Sequence, residues 1–463
     1  MGSSQHGPSS VRLEHPGPEP RFRVSLEGLR ASLWFWPACT SLAAVVLTLL
    51  LLRVRPGDHV GWAHWIWPTG VDAASSLLQT VATSVMTAAT VTFSLTVVAL
   101  QLASQQFSPR LLREFARDAR TQLVLAVLLG TFLVSITGLH GMHPDRPVPV
   151  LVVGLVYVLA IASGVVLLFF IGHIARSLRV DTMMLNAHQG CLAVLRETYP
   201  ESETGEVQDF PDPGGGTCVP AGRSGIVQAV HAKPLVQMLQ RHGLTMRLEV
   251  QPGDHVTIGT PVAWVFSDDA GPQDSETLGA VRQSLAEVLE IGYERTPEQD
   301  AALGLRQLTD IAVKAISPSI NDPITAAHAL GYCADLLVDI SHRRLGPEGE
   351  RDSDGVLRLV TQGRDYRYFM DLVCGPVRRF GHSEPIVLTA VQRLLRDCAA
   401  NAVNDMQRGE IRRQSSLVLE NTAHGLAEAD EQEIRDMARR VEEALAGDLA
   451  SAFADRAGET HSV

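Results

Sequence analysis

Eight polar, uncharged side chains recur at helical spacing along one stretch of the chain: Ser76, Thr80, Thr83, Thr87, Thr90, Ser94, Gln101 and Gln105. At 100° per residue they fall within a wedge of about 80°, and at 1.5 Å per residue the row runs about 43 Å. Ser75, Gln79, Ser84, Thr92 and Thr96 stray from it, and no Asp, Glu, Lys or Arg occurs from Ala73 to Pro109. Two kinds of chemistry suit such a row. Small hydroxyls let helices approach and hydrogen-bond across a bundle. Repeated around a ring of subunits, the same groups line a wet path for small ions or solutes. Val91 at the row's edge and Val98 in its gap would then form a constriction that gates by dewetting. The lack of an intramembrane carboxylate or lysine argues against a pump or a proton-coupled transporter.

A second constellation lies further on. Arg306, Asp310 and Lys314 share one helix face at i, i+4 and i+8, and Asn321 and Asp322 follow in the turn Ser317–Pro323. A salt-bridged surface with an ordinary cap explains them, and a cytoplasmic polar contact site is the alternative. For catalysis the sequence offers no Gly-rich phosphate loop, no HExxH and no GxSxG, so no enzyme is expected. His59, His64, His140 and His143, with Asp58, Asp72 and Asp145, read as solvated loop residues, and no metal site or cofactor is expected. Six cysteines without a CxxC pair read as isolated thiols in a reducing compartment.

These residues must be positioned by a chain of 463 residues with a net charge of -12, of which charged residues are only 19%. The charge is uneven. Residues 1–180 hold 13 basic and 8 acidic residues and 181–463 hold 26 and 43, about +5 against about -17. The acidic rear makes nucleic acid an unsuitable partner. Four apolar stretches, near Leu33–Leu52, Leu77–Leu102, Leu123–Leu139 and Val150–Ile171, are long enough to cross about 30 Å of hydrocarbon. Arg12, Arg21, Arg23 and Arg30 precede the first, Arg110, Arg113, Arg117 and Arg120 separate the second from the third, and Arg176 and Arg179 follow the fourth. The other side has Arg53, Arg55 and Arg146. Both termini are therefore expected in the cytoplasm, with Trp62, Trp65 and Trp67 in an outer belt.

The organisation expected is a disordered cytoplasmic N-terminus (1–30), a four-helix transmembrane domain (31–180) and a helical exit with linker (181–223). A small β domain (224–268), a helical cytoplasmic domain (275–447) and a polar tail (448–463) follow. Val250–Val262 looks like the hairpin of lipoyl- or biotinyl-type sandwiches, but no lysine occurs between Lys233 and Lys314, so a carrier role is not expected. Thr296-Pro297-Glu298-Gln299 predicts a helix start, with Thr as N-cap and Gln reaching back. Asp322 with Pro323 predicts another. The fold class is thus an α-helical integral membrane protein with four transmembrane helices, a lipoyl-like β-sandwich and an α-helical C-terminal domain. A homo-oligomeric, channel-like pore in the lipid bilayer is the leading function expected. The alternative is a non-conducting membrane sensor or scaffold whose acidic cytoplasmic part recruits a partner.

Several phrases carry a family resemblance. They are Gln105-Gln106-Phe107-Ser108-Pro109-Arg110-Leu111-Leu112, Asp118-Ala119-Arg120-Thr121-Gln122, Arg295-Thr296-Pro297-Glu298-Gln299-Asp300 and Ser317-Pro318-Ser319-Ile320-Asn321-Asp322-Pro323. Together they resemble bacterial predicted membrane proteins of "domain of unknown function 2254", over roughly Leu33 to Ala402. The resemblance implies a prokaryotic cytoplasmic-membrane protein and brings no activity, ligand or catalytic residue.

Overall fold

The computed structural model describes residues 35–53, 70–106, 119–143, 148–177, 179–204, 210, 216–267, 275–422 and 425–454. The tryptophan belt, His59, His64, the arginines at 110, 113 and 117 and both chain ends lie outside the described residues. The chain divides into two units, 1–100 with 113–174, and 101–112 with 175–463.

Among the described residues four helices are long and apolar enough to span a membrane: α1 (Phe35–Arg53), α2 (Val71–Gln106), α3 (Ala119–His140) and α4 (Val150–Ser177). Their sequences explain them, since each holds 18 or more residues with at most two charges. In lipid a helix alone satisfies every backbone group within one segment. α1 packs along α3. Ala74, Leu78, Val134, Val153 and Val156 join α2, α3 and α4 in one buried cluster. Gly138 permits that closeness, because a Cβ there would lie 2.7 Å from Val152 Cγ1 and 2.9 Å from Leu78 Cδ2. Between α3 and α4 the Thr131 and Ser163 hydroxyls meet at 3.1 Å, both buried. Thr131 also donates to the Val127 carbonyl at 2.7 Å, which leaves Ser163 to donate to Thr131. Such small polar pairs are the interhelical glue of a membrane bundle.

The second unit opens with α5 (Val180–Thr198) and then mixes sheet and helix. Strands β1 (Thr217–Pro220), β2 (Gly225–Val230), β3 (Leu244–Leu248), β4 (His255–Val256) and β5 (Pro261–Ser267) are interrupted by α6 (Ala232–His242). α7 (Ser275–Val288) and β6 (Leu289–Gly292) follow, then α8 (Ala301–Ala315) and α9 (Pro323–Ser341). After β7 (Glu348–Arg351) and β8 (Leu357–Thr361) come α10 (Tyr366–Phe380), α11 (Pro385–Ala399), α12 (Asp405–Thr422), α13 (Glu428–Leu445) and the short α14 (Leu449–Ala452). One sheet has the order β1-β5-β3-β8-β7, the other β4-β2-β6. α6 and α7 cover a core that includes Val227, Leu235, Leu239, Met246, Val265, Val281 and Leu359.

The β part therefore differs from the expected 224–268. β1 starts at Thr217, and β6, β7 and β8 come from a stretch expected to be helical. β8 pairs in parallel with β3 (Met246 with Leu359), and β6 pairs with β2 (Val227 with Ile291). Strands of four or five residues carry too little alternation to be read locally; their partners stabilise them. Gly253 and Gly259 turn the chain as expected, with φ of 90° and 83°. The short strand between them pairs with β2 (Gly225 with Val256), while β3 and β5 pair with each other.

The helix start at Thr296 is also corrected. α8 begins at Ala301 with Asp300 at the cap position. Gln299 Oε1 instead accepts the Val230 N–H at 3.0 Å, and the Thr296 hydroxyl donates to the Gln228 carbonyl at 3.5 Å. Pairing with β2 outcompetes the local capping box. α9 starts as read: Asp322 Oδ1 accepts the Thr325 N–H at 3.0 Å with Pro323 in the first turn.

Candidate functional sites

α2 presents its polar row away from the helices it packs against. Ser76, Thr80, Thr83, Thr87, Thr90, Ser94 and Gln101 are exposed on the chain; Gln105 lies on α2, its side chain outside the described residues. The opposite side, Ala74, Leu78, Ala82, Val85, Ala89 and Ala99, is buried. Val91 and Val98 stand 60% and 48% exposed beside the row. The threonine hydroxyls bond back to their own helix. Thr80 donates to the Ser76 carbonyl (2.7 Å), Thr83 to Gln79 (2.9 Å), Thr87 to Thr83 (2.9 Å) and Thr90 to Met86 (3.0 Å). Each hydroxyl oxygen keeps acceptor capacity on the outer surface. Thr92, a stray from the row, turns inward, 1% exposed with no partner for its hydroxyl among the described residues.

Arg306, Asp310 and Lys314 stand half-buried on α8. The turn that follows is closed by Asp322 N–H donating to the Ala315 carbonyl at 2.9 Å, and Asn321 adopts φ 51°, the one left-handed non-glycine residue among the described residues. Asp322 is occupied as a cap: the Thr325 hydroxyl donates to its Oδ2 at 2.6 Å, and these bonds hold its carboxyl below the usual carboxylate range. Among the described residues no group of three His, Cys, Asp or Glu side chains is placed to hold a metal. The six cysteines are free, and Cys191, Cys333, Cys374 and Cys398 are buried. Burial pushes the Cys191 and Cys398 thiols up to about 12, so they are inert.

Sequence reasoning missed a cavity of about 170 Å³ in the second unit. The end of α5, the ends of β2 and β3, the start of α8, β7 and the segment after β8 all contribute to its wall, which includes Tyr199, Gln251, Asp300, Glu348, Glu350 and Arg364. Only the Arg295–Asp300 phrase, already singled out, pointed to it. Arg343 fixes the α5 end, donating to the Tyr199 carbonyl at 2.7 Å while held by Asp339 at 2.5 Å. Asp300 is 3% exposed, and its Oδ2 accepts from Arg295 Nη1 at 2.9 Å. Desolvation raises its carboxyl above the ordinary range, against the pull of Arg295, Arg364 and Arg306 and the Ala302 amide. Glu348 is likewise raised, by burial first, against Arg344.

No solved structure matches the chain. Among curated proteins, "Uncharacterized protein Rv1290c" of Mycobacterium tuberculosis (strain H37Rv) is 33% identical over 437 residues, 92% of this chain and 83% of the relative. "Uncharacterized protein Mb1321c" of Mycobacterium bovis matches with the same identity and coverage. The model of the family described as "Predicted membrane protein (DUF2254)" matches residues 30–397. Four apolar helices, the phrases around Gln105 and Asn321 and this match over most of the length agree: the chain belongs to the predicted membrane protein family DUF2254.

Proposed function

We propose that the protein is a homo-oligomeric, channel-like pore for small ions or solutes, with α2 as its wall. One observation carries the reading: the polar row lies within the part of α2 that the chain's own helices leave uncovered, flanked there by exposed Met86, Val91, Phe93, Leu95 and Val97. Facing hydrocarbon, a row of hydroxyls and amides gains nothing, whereas facing water it is solvated. Repetition of α2 around an axis brings the rows together, with Val98 as the dewetting constriction. Arginine placement supports cytoplasmic termini in a bacterial inner membrane, with the sheet-containing unit, lipoyl-like in its Val250–Val262 turns, serving assembly on the cytoplasmic side.

Planar-bilayer recordings of purified full-length protein test this. Wild type is expected to conduct, and Val98→Ser to raise open probability several-fold by wetting the constriction. No conductance in either, from protein shown to be folded and oligomeric, overturns the pore and leaves a scaffold whose row packs against another helix.

A further inference from the structure

α8 and α9 run in opposite directions along α5, and side-chain contacts fix their register. A Cβ at Gly304 would press on the Ala187 carbonyl and the Cys191 side chain, and the Cys191 thiol donates to the Ala301 carbonyl at 3.1 Å, so α8 is antiparallel to α5. His188 meets Asp335 at 2.5 Å, and Arg343, just past α9, donates to the Leu195 and Tyr199 carbonyls at 3.3 and 2.7 Å, so α9 is parallel to α5. The Ser317–Pro323 turn between α8 and α9 therefore stands at the N-terminal end of α5. At 1.5 Å per residue α8 runs about 17 Å from Gly304 to Ala315, against about 10 Å from Ala187 back to Val180, so the turn reaches the level of the first residue of α5. α4, long and apolar enough to span a membrane, ends at Ser177, three residues before α5 begins. Three residues of chain reach at most about 11 Å. However α5 is angled, this end of it stays close to the bilayer.

The same end is apolar and basic on its surface. Ile320, Ile324 and Phe380 are 39%, 50% and 65% exposed. Phe380 closes α10 beside the turn, since a Cβ on the next residue, Gly381, would come within 3.2 Å of Ile316 Cδ1. The turn is firmly closed: the Ile320 and Asn321 N–H groups both donate to the Ser317 carbonyl, at 3.0 and 2.9 Å. Little chain entropy is lost when such a preformed turn is covered. Lys314 stands in the last turn of α8, and Arg378 and Arg379 in the last turn of α10. Of the acids nearby, Asp322 is taken up as the cap of α9, and Glu384, Asp430 and Glu433 line a cavity at the starts of α11 and α13. α13 packs on α11 and α12 whereas α5 packs on α8 and α9, which sets those acids on the side away from α5. Exposed apolar side chains rimmed by Lys and Arg suit a phospholipid surface, where the first enter the headgroup–acyl boundary and the second reach lipid phosphates. We propose that this end of the helical bundle is an interfacial anchor, seating Ile320, Ile324 and Phe380 in the surface of the bilayer that α4 crosses. The anchor does not rest on the pore reading and needs no conductance to be tested.

Power-saturation EPR of the full-length protein in phospholipid nanodiscs tests it. Cys39 and Cys218 are first replaced by Ser, which leaves only buried native thiols, and a nitroxide is attached at Ile320→Cys or Phe380→Cys. Met406→Cys is the control. Met406 is likewise exposed, at 44%, but beside it Gln407 Nε2 donates to the Ser341 carbonyl at 2.9 Å, at the other end of α9. The 19 residues of α9 put that end about 28 Å away. Oxygen concentrates in lipid and a neutral nickel chelate in water, so their collision rates with the label report which one surrounds it. The oxygen-to-nickel ratio at both anchor sites is expected to be at least three times that at Met406→Cys. A smaller ratio at both means that this end faces water and overturns the proposal. Collision with neither reagent means that protein covers the end, a second copy or another chain, and overturns it equally. Because all three positions are exposed, the labels leave the core packing intact, and an unchanged circular dichroism spectrum checks this for each variant.

Discussion

Asp322 and Asp300 occupy the same place relative to the helices that follow them, yet their carboxyls shift in opposite directions. Asp322 accepts the Thr325 N–H and hydroxyl, so its charged form is favoured and its carboxyl titrates low. Asp300 gives its helix no side-chain cap, turns to Arg295 and is buried, so its charged form is disfavoured. Replacing Asp322 by Ala should cost about 1 kcal/mol, the usual worth of a cap. A carboxyl lowered in the folded state contributes stability above its unfolded pKa and loses it as pH falls through the folded value. The deficit of Asp322→Ala should therefore be full at neutral pH and shrink as pH drops below the ordinary carboxylate range. Thermal unfolding of both proteins at stepped pH reads this, and a deficit constant down to strong acid would contradict the cap.

Among elements, the helices show where packing has no slack. At Gly138 a Cβ would meet Val152 and Leu78, so Gly138→Ala overpacks the crossing of α3 with α4 and α2. Overpacking of this kind costs about 1–3 kcal/mol. Val152→Ala in the same chain removes the Cγ1 in the way and should recover part of the loss, as measured by denaturant unfolding in micelles. Additive losses in the double variant would show that the glycine serves another purpose. The sequence revealed these helices because about twenty uncharged residues are a signal that no tertiary contact can overrule. It hid the start of α8 because Thr296 and Gln299, a sound capping pair locally, spend their polar groups on β2 instead. β7 and β8 were illegible for a related reason: Leu357–Thr361 is a strand because Met246, more than a hundred residues earlier, supplies its neighbour. The polar row of α2 was readable as a row, but which side the bundle leaves open was not, since Thr80 and Ala82 look equally compatible with burial in a membrane. The cavity at Asp300 is assembled from six separate stretches, so no window of sequence contains it.

At the scale of the whole molecule, one α2 per chain means that a pore requires company, and the geometry of rods sets how much. Three helices of about 10 Å diameter enclose a gap of about 1.5 Å, narrower than a water molecule, whereas four enclose about 4 Å. A water-conducting ring therefore needs at least about four copies. For a chain of 50.1 kDa that is about 200 kDa of protein. Mass measurement on gently solubilised protein should give this or a higher multiple. The same assembly makes a chemical distinction that mass alone cannot. With exposed Cys39 and half-exposed Cys218 replaced by Ser, the remaining native thiols are buried. Thr83→Cys, Thr87→Cys and Thr90→Cys should then react with a charged, membrane-impermeant thiol reagent at rates well above Ala82→Cys and Ala89→Cys on the buried side. A row in contact with lipid is out of reach of such a reagent, and a row sealed against a neighbouring helix is shielded from it. A particle of one or two chains, or an unreactive Thr87→Cys in an assembly of four or more, would leave α2 as a packing surface and remove permeation from the account of this family member.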